Sequence, residues 1–182
     1  LPGKHNVSNA LAAAAATLAL GATLTDVQLG LAAMKPVKGR INVHQPRENL
    51  RIIDDTYNAN SESVKAATDL LASYGGTRIL VLGDMGELGP DARLYHEEVG
   101  IYAKQAGINQ LFTLGVLSQN ASEQFHAQGA HFSSRQQLVT KLMPYLSSTA
   151  EVSILVKGSR SAKMELVVQD LLERCQQETG EC

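Results

Sequence analysis

The run Asp54-Asp55-Thr56-Tyr57-Asn58-Ala59-Asn60 carries two carboxylates, a hydroxyl, a phenol and two amides within seven residues. Carboxylates accept hydrogen bonds from sugar hydroxyls or ammonium groups, and asparagine amides both donate and accept. Two further stretches have comparable potential. In Gly83-Asp84-Met85-Gly86-Glu87-Leu88-Gly89 the glycines release the backbone while Asp84 and Glu87 supply carboxylates. In Lys157-Gly158-Ser159-Arg160-Ser161 a cation, two hydroxyls and a guanidinium precede a helix, a setting that suits a carboxylate or phosphate. Arg40, after Gly39, adds a permanently charged fork. Each has a plainer structural reading too: Gly83 to Gly89 as a strand-to-helix turn, Ser161 as a helix cap, Arg40 as a solvated linker cation, the commoner fate of a scattered arginine.

The elements that must position these groups follow from hydrophobic periodicity. Leu50 to Asp54 reads as a buried strand, and Val64, Ala67, Leu71 and Tyr74 form the apolar stripe of a helix with Asn60 or Ser61 as its cap. Ile41 to Gln45 is a second strand, joined to Leu50 to Asp54 through Pro46-Arg47-Glu48-Asn49 as a hairpin. Strands are expected at Arg78 to Leu82, Gln110 to Leu114, Ala130 to Phe132 and Val152 to Val156. They alternate with helices at about Asp91 to Ala106, Ser118 to Gln128 and Gln136 to Leu146, and with a last helix presenting Met164, Val167, Val168, Leu171, Leu172 and Cys175 on one face. Such alternation at short spacing predicts an α/β fold, a mostly parallel sheet with helices on both faces. Loops at the carboxyl ends of parallel strands share one crevice, so the three polar stretches are expected to converge.

Ahead of this unit, Asn6 to about Leu20 reads as an alanine-rich helix and Asp26 to about Met34 as a second, capped by Thr25, with Leu24, Val27, Leu31 and Met34 as its stripe. Two helices cannot bury both faces alone, so they are expected to cover a sheet that lies upstream. Lys35 to Arg40 carries Pro and Gly without periodicity and reads as a hinge, giving a boundary between residues 1–38 and 39–182. The opening at Leu1 without an initiator Met suggests a piece of a longer protein.

Composition narrows the function class. A net charge of −2 with scattered Lys and Arg gives no footprint for nucleic acid. The run Ala10 to Ala16 is too short and too weakly apolar to span or insert into a membrane. Cys175 and Cys182 have neither metal spacing nor a disulfide framework, which suits a reducing, cytoplasmic compartment. No G-x-x-x-x-G-K-[ST] occurs, and Gly83, Gly86 and Gly89 do not make G-x-G-x-x-G; if a nucleoside triphosphate is used, its phosphate cradle lies elsewhere.

The segment Pro2-Gly3-Lys4-His5-Asn6-Val7-Ser8-Asn9-Ala10-Leu11-Ala12-Ala13-Ala14 resembles the P-G-x-H-N-x-x-N-x-x-A-A signature of the Mur ligases, ATP-dependent amide-forming enzymes of peptidoglycan precursor synthesis. Gly39-Arg40, Asp54 to Asn60, Gly83 to Gly89 and Lys157 to Ser161 are similar in order and content to the member type that adds D-alanyl-D-alanine to UDP-N-acetylmuramoyl-tripeptide. One departure is Thr56, where Ser is expected in many relatives; the hydroxyl is kept. A folylpolyglutamate-type ligase of the same superfamily, or a non-catalytic Rossmann-like module, is the alternative.

The resemblance implies that 1–38 is the tail of a central ATP-binding domain and 39–182 a Rossmann-like C-terminal domain. The phosphate cradle, the Mg2+ ligands and a carbamylated lysine would lie upstream, so the piece alone would be inactive and would hold no metal ligands of its own. The implied chemistry runs through an acyl phosphate, and both steps build negative charge that needs fixed cations and donors. Arg40 would reach the ATP phosphates as the catalytic cation. Asn6 and Asn9, one helical turn apart, would sit beside the adenine, with helix capping by Asn6 as the plainer alternative, and His5 would be structural. Asp55 would take the ribose hydroxyls while Tyr57, Asn58 and Asn60 complete the nucleotide pocket and Asp54 stabilises the loop. Asp84, Lys157, Ser159 and Arg160 would face the peptide substrates, Lys157 or Arg160 for a carboxylate and Asp84 for an ammonium or backbone donor. Closure about the Lys35 to Arg40 hinge would assemble the site and exclude water.

Overall fold

A computed structural model describes residues 4–34 and 37–179. Lys35 and Pro36 of the expected hinge, the side chain of His5, and Cys182 lie outside the described residues. The chain begins with α1 (Lys4–Ala19) and α2 (Leu24–Ala32), which pack on one another. The cap of α2 is Thr23 rather than Thr25: its Oγ1 accepts from Asp26 N at 3.2 Å and Asp26 Oδ2 accepts from Thr23 N at 2.8 Å, a reciprocal capping box two residues ahead of the expected cap. Of the expected stripe only Val27 is buried, while Leu24, Leu31 and Met34 are exposed.

The rest forms one six-stranded sheet in the order β1-β2-β6-β3-β4-β5. β1 (Asn42–Arg47) and β2 (Leu50–Asp55) are the antiparallel hairpin; β1 runs through Pro46 with an irregularity between His44 and Arg47, so the turn is shorter than the sequence suggests. β2, β6 (Val152–Lys157), β3 (Thr77–Gly83), β4 (Gln110–Leu114) and β5 (Gly129–Phe132) are parallel. Alternate residues of each central strand enter different cores. Ile52, Val81, Phe112 and Ile154 face α6 (Arg135–Leu146) and α7 (Glu165–Thr179), whereas Ile53, Leu80, Leu111 and Leu155 face α3 (Ser61–Ala72), α4 (Ala92–Gln105) and α5 (Gln119–Phe125). The expected face of α7 is in the first core, with Met164, Val167, Val168, Leu171 and Cys175 buried and Leu172 packed against it.

The insertion of β6 between β2 and β3 is what positions the site. α3 leaves β2 and packs over β3 and β6 on one face, while α7 leaves β6 and packs over β1 and β2 on the other. Loops leaving adjacent strands for opposite faces diverge, and the crevice between them is where open α/β sheets bind ligands. That switch point falls between Asp55 and Lys157, which are register partners at the carboxyl ends of β2 and β6.

Candidate active site

Local forces shape the β2 loop first. Asp54 Oδ1 accepts from Thr56 Oγ1 at 2.6 Å and Thr56 N at 3.2 Å, a turn that puts the Thr56 hydroxyl inside and Tyr57 outside. Asn58 Oδ1 accepts from Ala59 N. Asn60 is the N-cap of α3, its Oδ1 accepting from Ser63 N at 2.8 Å and Ser63 Oγ accepting from Asn60 N at 3.0 Å. Tyr57, Asn58 and Asn60 are thus exposed around a loop whose shape is fixed from within.

Arg40 is brought to this loop by its own neighbours. Gly39 adopts φ +75°, its carbonyl accepts from Tyr57 N at 2.9 Å, and its N–H donates to Asn42 Oδ1. A Cβ there would stand 3.0 Å from Tyr57 N, so glycine is needed for the approach as well as the dihedral. Ile41 follows at φ +50°, rare for a β-branched residue, and is held in that conformation by burial in the core. Gly39 to Ile41 is therefore fixed to the sheet and is not a loose linker. The Arg40 guanidinium lies 4.5 Å from the centroid of the Tyr57 ring, and among the described residues it makes no ion pair.

Lys157 departs from the picture of a residue open to substrate. It is 2% exposed, donates to Asp55 Oδ2 at 2.5 Å and to the Asn58 carbonyl at 3.0 Å, and so ties the end of β6 to the β2 loop. The Asp84 carboxylate is likewise engaged within the chain. Oδ1 accepts from Leu117 N and Ser118 N at 3.0 and 2.8 Å and Oδ2 from Val116 N at 3.0 Å, while the Asp84 carbonyl accepts from Ser159 N. Ser159 is buried with its Oγ 3.0 Å from Ser161 Oγ; Arg160 is exposed, 3.6 Å from Glu165.

The structure thus gathers Arg40, Asp55, Tyr57, Asn58 and Lys157 at the switch point, with Asp84 and Ser159 joined beside them. Asn6, half-buried, and Asn9, exposed, are on α1, whose packing partner is α2. One residue was missed by sequence reasoning. His96 on α4 is fully buried, its Nε2 accepting from Met85 N at 3.0 Å and its Nδ1 facing the Ala92 carbonyl at 2.6 Å, which fixes the tautomer and pins the β3 loop. Its only signal was a histidine on the core face of a helix.

The model for the Mur ligase, glutamate ligase domain matches residues 39–160, from the clasp at Gly39 to the Lys157 loop. The chain belongs to the Mur ligase family. It is 45% identical over 182 residues to the UDP-N-acetylmuramoyl-tripeptide--D-alanyl-D-alanine ligase of Escherichia coli K12, covering all of this chain and 39% of that protein. The enzyme of the same name from Haemophilus influenzae is 43% identical, with 94% of this chain and 38% of that protein covered. A crystal structure of MurF from Acinetobacter baumannii superposes with a TM-score of 0.87 at 34% identity, over 95% of this chain and 38% of that one. This Mur ligase chain therefore spans about two fifths of the length of the relatives it matches.

Proposed function

We propose that this chain is the C-terminal part of a cytoplasmic, ATP-dependent ligase that joins D-alanyl-D-alanine to UDP-N-acetylmuramoyl-tripeptide in peptidoglycan precursor synthesis. Residues 1–38 belong to the tail of the central ATP-binding domain and 39–182 form the C-terminal domain. The names of the relatives support the reaction, and the geometry at the switch point supports the nucleotide half of it.

The donor set suits ATP. Arg40 is an exposed guanidinium oriented by the Tyr57 ring and uncommitted to any carboxylate among the described residues, and Asp55 ends the strand from which the same loop departs. A planar fork with permanent charge suits phosphate oxygens, and a carboxylate at a βα loop suits ribose hydroxyls. Tyr57, Asn58 and Asn60, exposed on the β2 loop, complete the nucleotide site in this reading, with Asn6 and Asn9 of α1 beside the adenine. Among the described residues no three His, Cys, Asp or Glu converge on a metal position; Mg2+ is assigned to parts of the longer chain.

ATP, when bound, supplies the phosphoryl group that activates the tripeptide carboxylate. Arg40 neutralises charge on the transferring oxygens from a position fixed before substrates arrive, which avoids reorganisation during the reaction. Ser159 and Arg160 contact the peptide substrates, Arg160 for a carboxylate, with Lys157 and Asp84 supporting the loops behind them.

The observation that carries this reading is the Arg40 guanidinium over the Tyr57 ring at the switch point, with no ion pair among the described residues. In the full-length enzyme, Arg40→Ala should lower the rate of phosphate release by about 100- to 1,000-fold. Arg40→Lys should recover only part of it, because a point charge cannot replace the fork. Neither should change thermal stability, since the side chain is exposed. Wild-type turnover in both variants would overturn the assignment.

A further inference from the structure

Lys157 has every mark of a catalytic cation except access. It stands at the end of a central strand beside the ligand crevice, yet its side chain is 3% exposed and it donates to Asp55 at the end of β2 and to Asn58 in the loop that follows. We propose that Lys157 is a positioning residue for nucleotide binding: it holds the Asp55 carboxylate and the Asn58 carbonyl in one fixed arrangement, so that the β2 loop meets the ribose already ordered. This rests on the nucleotide reading above and reassigns Lys157 away from the peptide substrates.

Three features support it. Asp55 and Lys157 are register partners on adjacent parallel strands, so the pair spans the very place where the two loops diverge. Hydrogen bonding to Oδ2 fixes the rotation of the Asp55 carboxylate, and the bond to the Asn58 carbonyl fixes the loop one turn further on. Asp55 is itself nearly buried, and a buried carboxylate needs a compensating cation at hand. An ammonium so enclosed could reach a substrate only by withdrawing from the buried Asp55 carboxylate.

The test is made in the full-length enzyme, with dissociation constants for ATP and 2′,3′-dideoxy-ATP measured by calorimetry alongside KM values. Lys157→Met should weaken ATP binding by about 10- to 100-fold, narrow the preference for ATP over the dideoxy nucleotide, and leave KM for UDP-N-acetylmuramoyl-tripeptide and D-alanyl-D-alanine unchanged. Because the buried Asp55 carboxylate then loses the Lys157 ammonium, the single variant should also lose thermal stability. The double variant Asp55→Asn, Lys157→Met removes both charges and should regain stability without regaining ATP affinity, so that folding and positioning are read separately. Effects of the two substitutions on ATP affinity should be less than additive. A rise confined to a peptide substrate's KM, or additive effects on ATP, would overturn the positioning role. If Asp55→Asn alone leaves the ribose preference intact, the nucleotide assignment of the site fails instead, a distinct result.

Discussion

Asp55 and Asp84 both stand at the carboxyl ends of parallel strands, both come from stretches that read as chemistry, and they are used differently. Asp55 at the end of β2 meets the buried Lys157 ammonium across the switch point. Asp84, just beyond β3, is saturated by three backbone N–H groups of the next loop. Charge-assisted bonds of this kind are roughly twice as strong as neutral ones, so three of them make Asp84 a structural clamp. The topology explains the division. β3 and β4 are consecutive strands, and the loop after β4 crosses directly above Asp84. β2 and β6 send their helices to opposite faces, so Asp55 borders an opening.

The larger loss of stability is expected at Asp84. Asp84→Ala leaves three amides without their acceptor and should cost about 2–4 kcal/mol of stability, some of it recovered by water because the loop is partly exposed. ATP affinity should stay near wild type. A denaturant midpoint unchanged by the substitution, or an affinity loss matching that of Asp55 variants, would erase the distinction drawn between the two carboxylates.

A smaller effect sharpens the same point. Gly115 has φ +137°, and a Cβ there would lie 2.3 Å from Asp84 Oδ1, hence only glycine lets the loop fold down onto the carboxylate. Gly115→Ala should cost about 1–3 kcal/mol from backbone strain and crowding together. In an Asp84→Ala background the crowding is gone and only the strain remains. The two substitutions should therefore combine to less than their sum in denaturant unfolding, and full additivity would mean that the carboxylate is not what the glycine accommodates.

These cases mark how far the sequence was legible. Strand and helix positions were, because burial on one or both faces writes itself into local periodicity. Gln110 to Leu114 and the α7 face carry it plainly, and the Asn60 cap follows from side-chain chemistry two or three residues away. The N-cap of α2 was misjudged by two residues because Thr23 and Thr25 are chemically alike and only the reciprocal bond to Asp26 separates them. Partners distant in sequence were out of reach. Lys157 finds Asp55 across 102 positions and Asp84 finds Ser118 across 34, and no local pattern reports that β6 enters between β2 and β3. The types of the site residues could be read; which of them are consumed by the fold could not.

A third carboxylate bounds the comparison at its weak end. Glu98 of α4 reaches the start of α3, its Oε1 accepting from Lys65 Nζ at 2.7 Å and its Oε2 from Ser61 Oγ at 3.2 Å, on a surface far more open than that around Asp55. The hydrogen bond from Lys65 holds the Glu98 carboxyl below the ordinary glutamate range, partial burial opposes this, and Ser61 adds a smaller push in the same downward direction. A carboxyl whose pKa is lower in the folded state contributes stability above its unfolded pKa and loses it as pH falls through the folded value. The partner Lys65 is shifted upward, so its own contribution is lost only in strongly alkaline solution. Glu98→Gln should therefore lower Tm slightly at neutral pH, within the small range of exposed ion pairs, and the wild-type and variant curves should converge as pH drops below about 4. A gap that persisted at pH values where the carboxyl is protonated would assign the effect to packing between α3 and α4. The gradation from clamp to crevice pair to surface bridge would then lack its electrostatic basis at this end.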